Sequence, residues 1–124
     1  MLRNSFFAIL SSSQKIQMEM IMKERNFKQG EVLYLKDSPP EFGYMVSAGC
    51  LEIFNCSEAT LEEKLGIGSF VCEFDSFLNQ KPLTLNLRAA VDTEGFEISM
   101  KEINQFMRKN PGLMLLVNKV KYIF

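Results

Sequence analysis

Residues 27–55, FKQGEVLYLKDSPPEFGYMVSAGCLEIFN, decide how this chain folds. From Phe27 the apolar pattern takes a period of two. Val32 and Tyr34 alternate with Leu33 and Leu35, and the segments Phe42–Ser47 and Cys50–Asn55 follow with the same spacing. A Gln-Gly turn precedes the first run and an Ala-Gly turn joins the last two. Ser38-Pro39-Pro40 between them is a loop, because adjacent prolines have no N–H for a ladder. Short strands with turn signals every ~8–12 residues indicate an all-β sandwich or barrel.

The same alternation recurs downstream. Leu83, Leu85, Leu87, Ala89 and Val91 share one face of a strand and Thr84, Asn86 and Arg88 the other. Between these regions Ser57–Glu63 reads as a polar hairpin tip. Gly66-Ile67-Gly68 reads as a strand connection, since a dinucleotide fingerprint needs a third glycine and an immediate helix. Helices flank the strands. Gln14–Glu24, QKIQMEMIMKE, sets Ile16, Met18, Met20, Ile21 and Met22 on a broad stripe that reads as core packing, with Ser11–Ser13 as N-caps. Ser99 caps a second helix running to Lys109, Glu102 completes a capping box, and Asn110-Pro111-Gly112 ends it. The last segment, LMLLVNKVKYIF, aligns Leu113, Leu116, Val117, Val120 and Phe124 on one stripe. It is too apolar for a free surface helix and implies a partner helix or a longer parent chain. The whole reads as a single domain over 1–124, with a helical segment at 1–26, a β-roll at 27–98 and C-terminal helices at 99–124.

Composition removes several functions. The chain has 124 residues, one domain's worth, and its 47% hydrophobic and 23% charged content is ordinary globular material. A net charge of −1 with scattered basic residues gives no pull on nucleic acid, so this chain alone is no DNA binder. There is no histidine, which removes the commonest general base and metal ligand. Cys50, Cys56 and Cys72 lack metal-site spacing and read as reduced thiols of a cytoplasmic protein. Phe6–Leu10 falls short of the ~7–15 apolar residues of a secretory core, and no run reaches the ~20 of a membrane span. No Gly-x-Ser-x-Gly elbow or Cys–His pair is present. The paired acids, Glu62-Glu63 and Glu73 with Asp75, have simpler explanations in a hairpin tip and a helix start. The reading is not an enzyme.

Three motifs, in order and spread over nearly the whole chain, resemble the cyclic-nucleotide-binding domain of the catabolite activator protein regulator family. FKQGEVLYLKDSPPEFGYMVSAGCLEIF is similar to the family's opening strands, and LGIGSFVCEFDSFL to the start of its phosphate-binding cassette. FEISMKEINQFMRKNPGLMLLV resembles its closing helices, in which Asn-Pro opens a dimerisation helix. The resemblance implies a mainly β fold with flanking helices, a jelly roll (double-stranded β-helix). It implies a regulatory, sensory domain with a small-molecule effector, cyclic AMP or cyclic GMP, and a homodimer through Leu113, Leu116, Val117, Val120 and Phe124. DNA would enter only through a helix-turn-helix following in the parent, and no membrane partner is implied. A cupin enzyme shares the outline but needs histidines.

Carried over position by position, the family's ribose-binding glutamate falls on Glu73 and its close-approach glycine on Cys72. Its phosphate-pairing arginine falls on Leu83 and the adjoining hydroxyl residue on Thr84. The losses at Cys72 and Leu83 disfavour tight nucleotide binding. A charged hydrogen bond contributes ~1.5–3 kcal/mol, and leaving a desolvated anion unpaired costs ~3–5 kcal/mol, more than a hundredfold in affinity. A helix dipole returns only ~0.3–2 kcal/mol, and Glu73 and Asp75 oppose it. Lys81 lies on a turn, and Arg88 points to the face opposite Leu83. Two readings of the greasy face at Leu83, Leu85 and Leu87 stay open: a filled cavity, or a pocket for a less charged molecule.

Overall fold

The computed structural model describes residues 10–55 and 60–113. Its strands are β1 (Lys23–Phe27), β2 (Val32–Tyr34), β3 (Phe42–Ala48), β4 (Leu51–Asn55), β5 (Thr60–Leu65), β6 (Phe70–Val71), β7 (Asn86–Ala89) and β8 (Thr93–Ser99). Its helices are α1 (Ser12–Ile21), α2 (Phe74–Asn79) and α3 (Met100–Lys109). The strands pair antiparallel in two sheets, ordered β1-β8-β3-β6 and β2-β7-β4-β5. The expected mainly β roll with flanking helices is the fold observed.

Alternation explains the core. In β3, Phe42, Tyr44 and Val46 are buried, and Leu51 and Ile53 of β4 and Leu87 and Ala89 of β7 face them from the other sheet side. Phe70, Phe74 and Phe77 bring the β6–α2 segment into the same cluster, and Ile103, Phe106 and Met107 of α3 close one end. Gly30, Gly49 and Gly68 take positive φ at the turns where the sequence reading places chain reversals.

The serine caps form as expected, although the Glu102 carboxylate accepts from the Ser99 hydroxyl at 3.3 Å rather than completing the expected capping box. Ser11 accepts from the Gln14 N–H at 3.1 Å, and Ser99 accepts from the Glu102 N–H at 3.1 Å. Three boundaries differ from expectation. α1 stops at Ile21, and Lys23–Phe27 is a strand that begins inside the segment read as helical. The polar residues there have nothing to bury on a helical face, but along β8 they find Glu97, which pairs with Arg25 at 2.8 Å. Tertiary pairing overrides helix propensity. The methionine stripe is core packing in part: Met18 is buried and Ile21 and Met22 pack against the core, while Ile16 is 59% and Met20 80% exposed. Thr60–Glu63, read as part of a hairpin tip, instead continues β5 along β4, whose backbone offers it an antiparallel ladder. β7 is likewise shorter than the run Thr84–Val91, and Val91 is 45% exposed.

Tyr44 reaches from β3 across β8 to the edge strand β1. Its hydroxyl donates to the Arg25 carbonyl at 2.7 Å from a fully buried ring. Burial, and behind it the carboxylates of Glu94 and Glu97, outweigh the Arg25 charge and push the phenol from 10.0 to about 12. The folded protein therefore keeps this proton where the unfolded chain loses it. The stability involved is present below pH 10 and disappears as pH rises through about 12. An ultraviolet phenolate titration should show a tyrosine titrating near pH 12 that is absent in Tyr44→Phe, which also loses about 1 kcal/mol of stability.

Candidate functional site

The four cassette positions lie on the segment that leaves β6, turns through α2 and enters β7. β6 is short but anchored, with Val71 opposite Tyr44 and Phe70 opposite Met45 of β3. α2 follows at once and ends at Gln80, whose left-handed conformation turns the chain back. Ser76 then holds the return: its backbone carbonyl accepts from Lys81 N–H at 3.1 Å, and its hydroxyl donates to the Pro82 carbonyl at 3.0 Å. Leu83 is tied on both sides of its backbone to the Asp37–Ser38 loop, donating to the Ser38 carbonyl and accepting from the Asp37 N–H, each at 2.8 Å.

Glu73 stands at the N-cap of α2, yet its side chain makes no bond to its own helix. The carboxylate, 1% exposed, is turned across the segment instead. The Thr84 N–H is shared between its two oxygens at 3.1 and 3.0 Å, the Thr84 hydroxyl donates at 2.5 Å, and the Leu85 N–H donates at 3.3 Å. Glu73 and Thr84 are thus brought together directly. These diverted amides also explain why β7 starts only at Asn86.

Cys72 and Leu83 point elsewhere. The Cys72 Cβ lies 3.4 Å from where a side chain at Gly43 would begin, so the thiol packs in the core beside a residue that leaves room for it. Burial first, and the Glu73 charge second, push its thiol well above the usual value, which makes it an unreactive sulfur. Leu83 is 3% exposed and lines a cavity of about 260 Å³ with Arg25, Tyr34, Leu35, Pro39 and Phe42.

Two residues of this surrounding carry more than the sequence suggested. The Tyr34 hydroxyl donates to the carbonyls of Phe42, at 2.5 Å, and Val71, at 3.2 Å, riveting β2 to β3 and to the start of the cassette. Burial, then the charges of Cys72 and Glu73, raises its phenol well above the ordinary value. The Arg25 guanidinium lies 4.7 Å from the ring centroids of both Phe27 and Phe42, and it pairs with Glu97. A cation therefore borders the Leu83 cavity, but it is already engaged. Arg88 is engaged as well, pairing with Glu52 and lying 4.4 Å from the Phe54 centroid.

Of the stripe assigned to dimerisation, Leu113 is buried in this chain's own core, and Leu116, Val117, Val120 and Phe124 lie outside the described residues. Among the described residues no helix is long and apolar enough to cross a membrane.

Residues 24–110 match the cyclic nucleotide-binding domain family. The chain is 26% identical over 114 residues to the cGMP-dependent 3',5'-cGMP phosphodiesterase A of Dictyostelium discoideum, a match that takes in 90% of this chain and 13% of that protein's length. Its fold is similar to the N-terminal domain of a transcriptional regulator from Streptomyces coelicolor, with a TM-score of 0.74 at 16% identity over 95% of this chain and 85% of that one. It is similar too to the sensor domain of the transcriptional regulator DNR from Pseudomonas aeruginosa, with a TM-score of 0.72 at 20% identity, covering 91% and 77% of the two chains.

Proposed function

The chain belongs to the cyclic nucleotide-binding domain family, and from that premise we propose that it is a regulatory domain whose cassette does not hold a cyclic nucleotide tightly. The observation that carries this reading is the buried Leu83 at the position the resemblance gives to the family's arginine, where an apolar side chain lines the cavity with Tyr34 and Phe42. A phosphate placed here would meet no unengaged guanidinium, since Arg25 and Arg88 are committed to Glu97 and Glu52. The cost of an unpaired desolvated anion, ~3–5 kcal/mol, is larger than any dipole or neutral donor returns.

The cavity bordering Leu83 holds about 260 Å³, below the ~300–1,000 Å³ of ordinary small-molecule pockets, while one of about 410 Å³ lies beside Lys81 and Pro82. In this role the domain works as an effector module of a regulator of the catabolite activator type. Its regulation passes to a partner or to a DNA-binding segment elsewhere in the parent, and catalysis is not its part. A second reading is an interaction module that keeps the fold without a ligand, favoured by the internally satisfied Glu73; a monomer by light scattering at micromolar concentration would count against it.

Thermal unfolding with and without cyclic AMP or cyclic GMP tests the first reading. A ligand at a hundredfold excess over Kd adds about 2.7 kcal/mol of stability. The native protein should show no shift in midpoint at millimolar nucleotide, while Leu83→Arg should show one. A clear shift for the native protein would overturn the reading.

A further inference from the structure

We propose that the Glu73 carboxylate is the cassette's resident anion: it fills a cradle made by the Thr84 N–H, the Thr84 hydroxyl and the Leu85 N–H, and an external oxyanion enters only by displacing it. This rests on the reading of the site as a weak nucleotide binder and adds how that site is held closed.

The argument begins with direction. An acidic N-cap ordinarily turns its carboxylate toward the first amides of its own helix. Glu73 does not, although its backbone carbonyl accepts the Phe77 N–H at 3.0 Å as a helix start should. Its side chain reaches a residue eleven positions on, where three donors converge on two oxygens. Successive backbone N–H groups with an adjoining hydroxyl form the kind of concavity that takes anions. Here a carboxylate of the same chain sits in it.

Burial gives the arrangement its gating character. The carboxylate is 1% exposed, whereas Thr84, which supplies two of the donors, is exposed and Leu85 is half-buried. Both residues thus reach solvent, while the groups they donate from are turned onto the buried carboxylate. Withdrawing Glu73 would leave a set of neutral donors without their partner. The bond also fastens the end of β6 to the entrance of β7, closing the loop that contains α2 and Leu83. A tethered competitor acts at high effective concentration, and the apparent affinity of any external anion falls by the fraction of time the cradle is closed.

The test is amide hydrogen exchange and a phosphate titration, both followed by NMR on the full chain. In the native protein the Thr84 and Leu85 amides should exchange slowly and not shift with inorganic phosphate. In Glu73→Gln, which retains the size but loses the charge and one acceptor oxygen, both amides should exchange at least tenfold faster. Those of the β7 ladder at Leu87 and Ala89 should stay protected, and phosphate should shift Thr84 and Leu85 saturably. Thr84→Val, which removes only the hydroxyl, should show a smaller acceleration at the same two amides. Native exchange at free-chain rates, or phosphate shifts as large in the native protein as in Glu73→Gln, would overturn the proposal. Should Glu73→Gln not fold, native exchange and Thr84→Val still decide it. The Leu83 reading stands or falls separately, on nucleotide binding rather than on exchange in the ligand-free protein.

Discussion

Gly95→Ala is expected to cost about 3 kcal/mol or more of folding stability, at the upper end for overpacking a close contact. A Cβ at this position would lie 2.1 Å from the Met45 carbonyl oxygen and 2.6 Å from the Tyr44 hydroxyl. Neither neighbour can yield cheaply. The Met45 oxygen belongs to the β3 backbone, where Met45 pairs with Phe96 of β8. The Tyr44 hydroxyl is held by the Arg25 carbonyl of β1 at 2.7 Å. One methyl group on β8 therefore pushes on both flanking strands, on β3 directly and on β1 through the Tyr44 bond. Gly66→Ala is the control, because a Cβ there meets nothing within 4 Å; its effect should stay within about 0.5 kcal/mol. Urea unfolding of both variants checks the pair, and equal midpoints would contradict the packing of β1, β8 and β3 described above.

Leu83→Arg is expected to change two quantities in opposite directions. Without ligand the variant should be less stable, by about 1–3 kcal/mol, because a polar group replaces a buried apolar side chain of the core. The loss stays moderate if the arginine stem lies along Phe42 and carries its head toward the exposed Val32 and Leu35. With cyclic AMP the sign reverses. The new cation supplies the partner whose absence costs ~3–5 kcal/mol, less what is needed to draw Thr84 away from Glu73. A gain in nucleotide affinity of more than tenfold over the native protein is the expected net result. Urea unfolding with and without cyclic AMP reads both terms. A variant as stable as the native protein that gains nothing from nucleotide would mean that position 83 does not face the phosphate.

Much of this fold was legible because burial writes a period into the chain. Phe42–Ala48 and Leu51–Asn55 alternate and are strands, and the turns at Gly30 and Gly49 carry the positive φ that glycine allows. What escaped was whatever depends on a distant partner. Lys23–Phe27 is a strand only because β8 lies beside it, and its local composition reads as helix. Gly95 gives no signal of its own beyond being a glycine inside a strand, the usual mark of a close approach.

The site divides in the same way. Cys72, Glu73, Leu83 and Thr84 were placed on the cassette by motif order, and the structure sets all four on the β6–α2–β7 segment. The direction of the Glu73 carboxylate was not legible, since an acid at a helix start has a local explanation that needs no Thr84. Nor was the part played by Arg25 and Tyr34, which reach the Leu83 surroundings from β1 and β2. Tyr34 did carry a faint signal, as an aromatic on the inward face of an alternating run.

The most direct measurement is a calorimetric titration of the native protein with cyclic AMP, carried to millimolar nucleotide. The account predicts no saturable binding tighter than about 1 mM, roughly −4 kcal/mol. A micromolar Kd for the native protein would contradict it, because neither Leu83 nor a cradle already filled by Glu73 leaves the phosphate a partner of that strength.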